Sequence, residues 1–262
     1  MFALTIAPGH TGKFWNFNWL LLWLSYGRTK WNLVPAEFAS EISTLKEKLL
    51  VMASYAETAV SRAVKALLRR DDDLARRTRE EDDRIDGLEV EIDQVALRLL
   101  SYRPASFDLR FVTTAMKIAN NLERVGDEAT TISRRVLELS REAQLPQTAE
   151  IPPMASTVLQ MLKDALDAFV GHDPVKARAV IPRDDDVDKS NRKLYDELAV
   201  LMAERPSTIP SALNLIVISK SLERIGDHAA NVAEQVVYLC EGRDIRHAPP
   251  SRVDPRTPSV DT

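Results

Sequence analysis

The amino-acid sequence predicts an all-α protein built from two similar halves. Apolar residues recur every three or four positions from Glu37 to Gly242, which is the period of an amphipathic helix. Only 6% of the residues are aromatic and only eight are glycine, a composition that favours helices over strands. Several short motifs occur twice, about 100 positions apart, so the second half repeats the plan of the first.

Three apolar stripes predict the helices of the first half. They run from Leu45 to Leu67, from Ile85 to Leu99 and from Val112 to Leu139. Their members lie about 3.5 residues apart, the spacing of helices that cross at a shallow angle in a bundle. A charged break at 69–73 and a proline-containing loop at 102–106 separate the three predicted helices.

The same breaks return in the second half. Asp173 precedes Pro174 and is placed to cap the helix that starts there. Arg205-Pro206 follows Arg103-Pro104 by 102 positions, and later motifs are offset by 100 because the first copy has two extra residues in this loop. Four regions are therefore expected: an atypical N-terminal extension at 1–36, three-helix repeats at 37–145 and 150–242 around a proline-rich boundary, and a disordered tail at 243–262.

The composition excludes some functions. The 39 acidic residues outnumber the 35 basic ones, which argues against a protein dedicated to nucleic acid. Cys240 is the single cysteine, so the chain forms no internal disulfide and suits a reducing cytosol.

The first 36 residues do not resemble the rest of the chain. The apolar run FWNFNWLLLWLSY at 14–26 is shorter than the roughly 20 residues that a membrane-spanning helix needs, and it lacks the flanks of a cleaved signal peptide. No transmembrane segment is therefore predicted. Three explanations stay open for this run: an interfacial anchor, an ordered docking segment, or upstream sequence translated from a wrongly assigned start.

Paired carboxylates recur in both halves. The second predicted helix of each half carries Asp-x-x-x-Asp, and the third carries Glu-x-x-x-Asp within LERVGDEA at 122–129 and LERIGDHA at 222–229. Residues four apart lie on one face of a helix, so each pair directs its oxygens the same way. The eight candidate ligands are Asp82, Asp86, Glu123 and Asp127 in the first half and Asp184, Asp188, Glu223 and Asp227 in the second.

Two interpretations of these carboxylates compete. They are solvated acids that Arg124 and Arg224 neutralise, or they form a metal site between the second and third helices of each half. Gly126 and Gly226 favour the metal interpretation. A glycine inside a helix destabilises it by about 1 kcal/mol relative to alanine, and this cost is easier to understand where another group comes close.

The donor set restricts the chemistry of such a site. Carboxylates without an aligned histidine suit Mg²⁺, Mn²⁺, Ca²⁺ or carboxylate-bridged iron. Glu128 occupies the place that matches His228, so this histidine is expected to be a surface residue rather than a shared ligand. The chain has no Glu-x-x-His pair, no glycine loop for phosphate and no arguable nucleophile–base pair, and catalysis is not expected.

The repeated motifs resemble those of the PhoU family, the regulators of bacterial phosphate transport. The resemblance covers roughly 40–242 and includes KEKLLVM, EEDDRIDGLE, RPASFDLRFVTTAMKIANNLERVGDEA and SKSLERIGDHAANVAEQVVYL. It implies two three-helix bundles related by a pseudo-twofold axis. It also implies metal clusters, iron in some members, at the eight carboxylates named above.

The resemblance further implies a cytoplasmic negative regulator that is not an enzyme. Such a protein contacts a phosphate-responsive sensor histidine kinase and the ATPase subunit of the phosphate ABC transporter, lies at the membrane through these partners, and is expected to form a homodimer. Two alternatives remain from the residues alone. One is a metal-dependent phosphohydrolase or metal-storage bundle that uses the same carboxylates, and the other is a structural adaptor that needs none of them.

Overall fold

A computed structural model describes residues 36–102 and 106–246. The predicted N-terminal extension, except for its last residue, and the tail from residue 247 lie outside the described residues. The described part contains eight α-helices and no strand: α1 (Ala36–Arg69), α2 (Asp72–Glu80), α3 (Asp83–Ser101), α4 (Ser106–Leu139), α5 (Ile151–Gly171), α6 (Pro174–Val180), α7 (Asp184–Glu204) and α8 (Ile209–Glu241).

The prediction of an all-α fold with six long helices is confirmed. Six of the helices contain 19 residues or more, and α2 and α6 are short segments of nine and seven residues. The two short segments were not predicted. Each is the beginning of the second helix of its half, which is broken into two pieces. Single-turn 3-10 helices join several of the segments, because they let the chain turn tightly between helices.

The break falls at corresponding positions in the two halves. In the second half, Pro182 lies in the 3-10 turn between α6 and α7 and has no N–H to donate to a helix. The first half has no proline there, and α3 begins directly after Asp82. Sequence periodicity missed the break in the first half because residues 80–83 are all acidic and contain no proline or glycine. Asp82 itself keeps helical backbone angles, with φ −62° and ψ −39°.

The start of the second helix is also built alike in both halves. Arg70 and His172 adopt left-handed backbone angles, with φ of 53° and 50°, and end the first helix of each half. The next residue caps the following helix: the Asp71 carboxylate accepts from the Leu74 N–H, and the Asp173 carboxylate from two N–H groups of α6. The predicted role of Asp173 as an N-cap is therefore confirmed.

The two halves share one hydrophobic core. The third helices, α4 and α8, pack along each other at the centre, α1 and α3 pack on α4, and α5 and α7 pack on α8. Aromatic rings also cross the junction, since Phe111 of α4 stacks on Phe169 of α5 with ring centroids 5.9 Å apart. The arrangement is that of two three-helix bundles related by a pseudo-twofold axis. The exact boundaries of the repeats at 37–145 and 150–242 stay a prediction.

A carboxyl group is trapped between the first helices of the two halves. Burial raises the pKa of Glu57 on α1 to about 7, with Lys163 lowering and Asp167 raising it from the facing helix α5. The folded state therefore keeps this proton between pH 4.5 and 7, whereas the unfolded chain loses it. The stability contributed by Glu57 thus falls as the pH rises through this window.

We expect Glu57→Gln to stabilise the protein at about pH 8 by on the order of 1–2 kcal/mol and to change little at about pH 4.5. The amide keeps the shape of the carboxylic acid and removes the cost of ionisation. Urea unfolding of both proteins across this pH range measures the difference. An equal gain in the free energy of unfolding at about pH 4.5 and at about pH 8 would contradict the raised pKa of Glu57.

No helix in the described ranges combines the length and the apolar character that crossing a membrane requires.

Candidate metal-binding site

The first acidic site forms where the start of α3 meets the middle of α4. A Cβ atom placed on Gly126 would lie 2.8 Å from Asp82 Oδ1 and 2.9 Å from Ile85 Cδ1. Any larger residue at this point of α4 would therefore force the Asp82 carboxylate or the Ile85 side chain to move. Thr130, one turn further along α4, donates its hydroxyl to Asp82 Oδ2 at 3.0 Å.

The second site repeats this close approach. A Cβ atom on Gly226 would lie 3.0 Å from Asp184 Oδ1 and 3.5 Å from Val187 Cγ1. The residue that corresponds to Thr130 is Ala230, which has no hydroxyl to donate. Asp184 Oδ1 is buried and makes no hydrogen bond within the chain. The second site therefore contains a carboxylate oxygen whose hydrogen-bonding capacity is unused.

Three carboxylates of the first site have raised pKa values. Burial is the largest cause for Asp82, Asp86 and Glu123, and the charge of Asp127 adds to it in each case. The Thr130 hydroxyl acts in the opposite direction on Asp82. These groups are close enough to repel one another, so the site favours a proton or a cation among them.

The pKa of Asp184 in the second site rises to about 7, first through burial and then through its contact with Asp227. Asp188 and Glu223 add to the repulsion. Glu223 is only 8% exposed, which places its charge close to the core. The second site therefore also groups its four predicted residues around the start of α7.

Basic residues compensate the two sites differently. Arg124 lies 3.2 Å from Glu123 Oε2 and 3.1 Å from Asp127 Oδ2, as the solvated interpretation expects. Arg224 does not neutralise its own acidic pair, and that part of the expectation is wrong. It crosses instead to Glu128 Oε1 on α4, at 3.1 Å, because this carboxylate faces α8 across the junction.

Two other basic residues flank the second site. Lys220 lies 2.6 Å from the Glu223 carboxylate, and Arg192 lies 3.1 Å from Asp188 Oδ2. Asp227 is exposed and forms none of the ion pairs found in the described ranges.

His228 is not the surface histidine that the sequence suggested. Its Nδ1 lies 3.0 Å from Asn121 Oδ1 across the junction of α8 and α4, and burial lowers its pKa. It is half-buried because α4 covers this side of α8, a contact that the sequence of α8 alone does not contain. It belongs to the junction between the halves and lies outside the two sets of four carboxylates.

The structure brings each set of four predicted residues into one neighbourhood. Even so, within residues 36–102 and 106–246 no three histidine, cysteine or acidic side chains are arranged so that they could hold a metal ion. The donor chemistry suits a hard cation, but the arrangement is open, and a bound cation would require side-chain rotation. Asp86 and Asp227 are the exposed members of their sites, so such a rotation would meet the least packing at these two residues.

Sequence reasoning missed two contributors to the sites. Thr130 is polar where the second repeat has alanine, and this difference is the signal that could have identified it. Glu89 adds its negative charge near Glu123 and accepts a hydrogen bond from Asn120 at 3.2 Å. It lies one turn after Asp86, so the period of α3 would have placed it on the same face.

Comparison with known proteins identifies the family. The sequence pattern of the PhoU domain matches twice, at residues 49–136 and 151–236. The phosphate-specific transport system accessory protein PhoU homolog of Pseudomonas aeruginosa is 40% identical over 216 residues, which cover 82% of this chain and 89% of the relative. The accessory protein PhoU of Escherichia coli is 32% identical over 222 residues, covering 84% of this chain and 92% of the relative.

Solved structures agree with this relationship. The crystal structure of PhoU from Pseudomonas aeruginosa superposes with a TM-score of 0.77 at 39% identity and covers 79% of this chain and 100% of that one. The phosphate transport system regulatory protein PhoU from Streptococcus pneumoniae gives a TM-score of 0.74 at 30% identity and covers 79% and 99%. The duplicated helical architecture, the repeated acidic motifs and these similarities together establish that the chain belongs to the PhoU family.

Proposed function

We propose that this protein is a negative regulator of phosphate uptake and of phosphate-responsive signalling, and that it acts without catalysis. The observation that carries the proposal is the match of both repeats to the PhoU domain, together with relatives that are named accessory and regulatory proteins of phosphate transport. The similarity spans almost the whole length of those relatives, so it is not confined to one of the two repeats.

The proposed mechanism is that of an adaptor. The protein contacts a phosphate-responsive sensor histidine kinase and the ATPase subunit of the phosphate ABC transporter, and it works as a cytoplasmic homodimer held at the membrane by these partners. The outer helices offer apolar contact points, since Leu97 of α3 is 63% exposed and Val200 of α7 is 58% exposed. A change in the availability of phosphate would change the populations of two conformations of the protein, and so the surface that it presents to its partners.

The acidic sites fit this mechanism as metal-binding elements. We propose that Asp82, Asp86, Glu123 and Asp127, and likewise Asp184, Asp188, Glu223 and Asp227, bind cations, with iron favoured by family resemblance and manganese, magnesium or calcium as alternatives. The raised pKa values of Asp82 and Asp184 support this, because burial and then the repulsion of neighbouring acids disfavour the charged carboxylates, and a bound cation would offset both. Since Asp82 and Asp184 lie at the helix breaks, their carboxylates would tie each break to the third helix.

Two measurements test the proposal. Deletion of the gene is expected to raise phosphatase output in phosphate-replete cells, and the wild-type gene should restore repression. A variant with Glu123, Asp127, Glu223 and Asp227 changed to alanine should restore it poorly and should lose the metal that elemental analysis finds in the wild type. The matched control removes the same number of acids at exposed positions outside the sites: Asp73, Glu80, Asp93 and Asp185.

The outcomes separate the two parts of the proposal. Unchanged phosphatase output in the deletion strain would contradict the regulatory role. Equal metal content in the site variant, the control variant and the wild type would contradict the metal role alone. Turnover of phosphoesters by the metal-loaded protein, lost in the site variant, would contradict the absence of catalysis.

A further inference from the structure

Two ion pairs stand at corresponding positions of the two halves, beside the helix breaks. In the first half, Arg62 of α1 binds Glu81, the residue directly before Asp82. In the second half, Asp164 of α5 lies 2.8 Å from Arg183, the residue directly before Asp184. Each pair therefore links the first helix of its half to the residue that precedes a site aspartate.

The signs of the two pairs are reversed. Arg62 corresponds to Asp164, and Glu81 corresponds to Arg183, both at the same offset of 102 that relates Asp82 to Asp184. The two halves have therefore kept the attraction while exchanging the charges that produce it. An ion pair that served only as a solvated surface contact would not need its second member to change together with the first.

In the first half, no proline marks the break, and backbone hydrogen bonds continue on both sides of it. Asp82 has helical backbone angles, Glu81 departs from them with φ −84° and ψ −6°, and the Asp82 N–H reaches only the Arg79 carbonyl, at 3.4 Å. A small change would join α2 and α3 into one continuous helix. Asp82 lies at this break and contacts Gly126 and Thr130. A side-chain contact that fixes the break would therefore keep the Asp82 carboxylate beside them.

Both pairs are placed to do this. The side chains of Arg62 and Glu81 are 27% and 35% exposed, and those of Arg183 and Asp164 are 31% and 22% exposed, so solvent screens both pairs only in part. Lys176 also contacts Asp164, at 3.5 Å. Although burial opposes it, hydrogen bonds with Gln160 and Arg183 and the charges of Lys176 and Arg183 lower the pKa of Asp164.

We propose that the pairs Arg62–Glu81 and Asp164–Arg183 are positioning contacts that hold Asp82 and Asp184 against the third helices. The inference rests on the proposed function, because it gives these aspartates a working position. It goes further because it proposes that four residues outside the acidic sites keep the two aspartates in that position. The first half should depend on its pair more strongly, since only the second half has a proline in the break.

The test exchanges the charges of Arg62 and Glu81, which gives the first half the charge order found in the second. Arg62→Glu and Glu81→Arg are made singly and together in the full chain. The control pair is Glu41 and Arg98, which links α1 to the distant end of α3 with Nε and Oε1 3.0 Å apart, and it is reversed in the same way. Hydrogen exchange of the amides at 81–86 reports on the break, and calorimetric titration with Mn²⁺ alone reports on the site.

Each single reversal at the break should raise exchange there and weaken Mn²⁺ binding by roughly tenfold, and the double reversal should recover most of both. Reversals at the control pair should leave both readouts within about twofold of the wild type, although they also reverse the charges of an ion pair between α1 and α3. Failure of the double variant to recover, or equal effects at the control pair, would overturn the inference. If the wild type binds no Mn²⁺, the metal role fails, while exchange at the break still decides the role of the pairs.

Discussion

Replacing Phe169 by alanine should lower the free energy of unfolding by about 3–5 kcal/mol while leaving a single cooperative transition. Phe169 is 1% exposed and belongs to the second half, yet its ring stacks on Phe111 of the first half. The cavity left by alanine would thus remove contacts from both halves at once. The single transition follows from the shared core, because neither half can lose its packing without exposing the other.

Urea unfolding followed both by circular dichroism and by tryptic cleavage within each half measures this effect. Leu97→Ala is the control, since it removes a large apolar side chain that is 63% exposed and should change stability by less than about 0.5 kcal/mol. Two separate transitions, one for each half, would show that the repeats fold independently and would contradict the shared core.

Gly126→Ala should destabilise the protein by roughly 2–3 kcal/mol, although alanine is the better helix former. The new methyl group would lie 2.8 Å from Asp82 Oδ1 and 2.9 Å from Ile85 Cδ1. Neither neighbour can easily yield: Asp82 is held by the Thr130 hydroxyl, and Ile85 is 1% exposed in the core. The substitution should also displace Asp82 and so weaken any cation binding at the first site.

Two other glycines provide controls for this prediction. A Cβ atom added to Gly87 on α3 would have no neighbouring atom within 4 Å, so Gly87→Ala should stabilise the helix by about 1 kcal/mol. Gly226→Ala should cost less than Gly126→Ala, because its closest neighbour is at 3.0 Å and the next at 3.5 Å. Gains in stability at all three positions in urea unfolding would mean that the second helices do not approach the third ones closely.

The first prediction concerns the core that joins the two halves, and the second concerns how that core supports the acidic sites. The close approach at Gly126 and Gly226 brings the aspartate at each break against the third helix, and the central pair α4 and α8 carries both sites on one rigid unit. A change at one site is therefore expected to affect the other through the shared core.

Much of this arrangement could be predicted from the sequence by itself. The helical period, the breaks marked by proline and charge, and the duplicated Glu-x-x-x-Asp motifs follow from local rules, because residues three or four apart share a helix face wherever the helix lies. The two glycines also indicated a close approach before any contact was known. These features required only neighbours along the chain.

The tertiary structure alone decided which groups meet across helices. The break at Asp82 has nearly helical backbone angles, so no local signal marks it. Likewise, Arg224 forms its ion pair with Glu128 rather than with the acids beside it, because α4 lies in a particular register against α8. The hydrogen bond from Thr130 to Asp82 depends in the same way on the register of α4 against α3. That register results from the packing of the whole core, in which each side chain fills space left by residues far away in the sequence, and the period of a single helix carries no information about it.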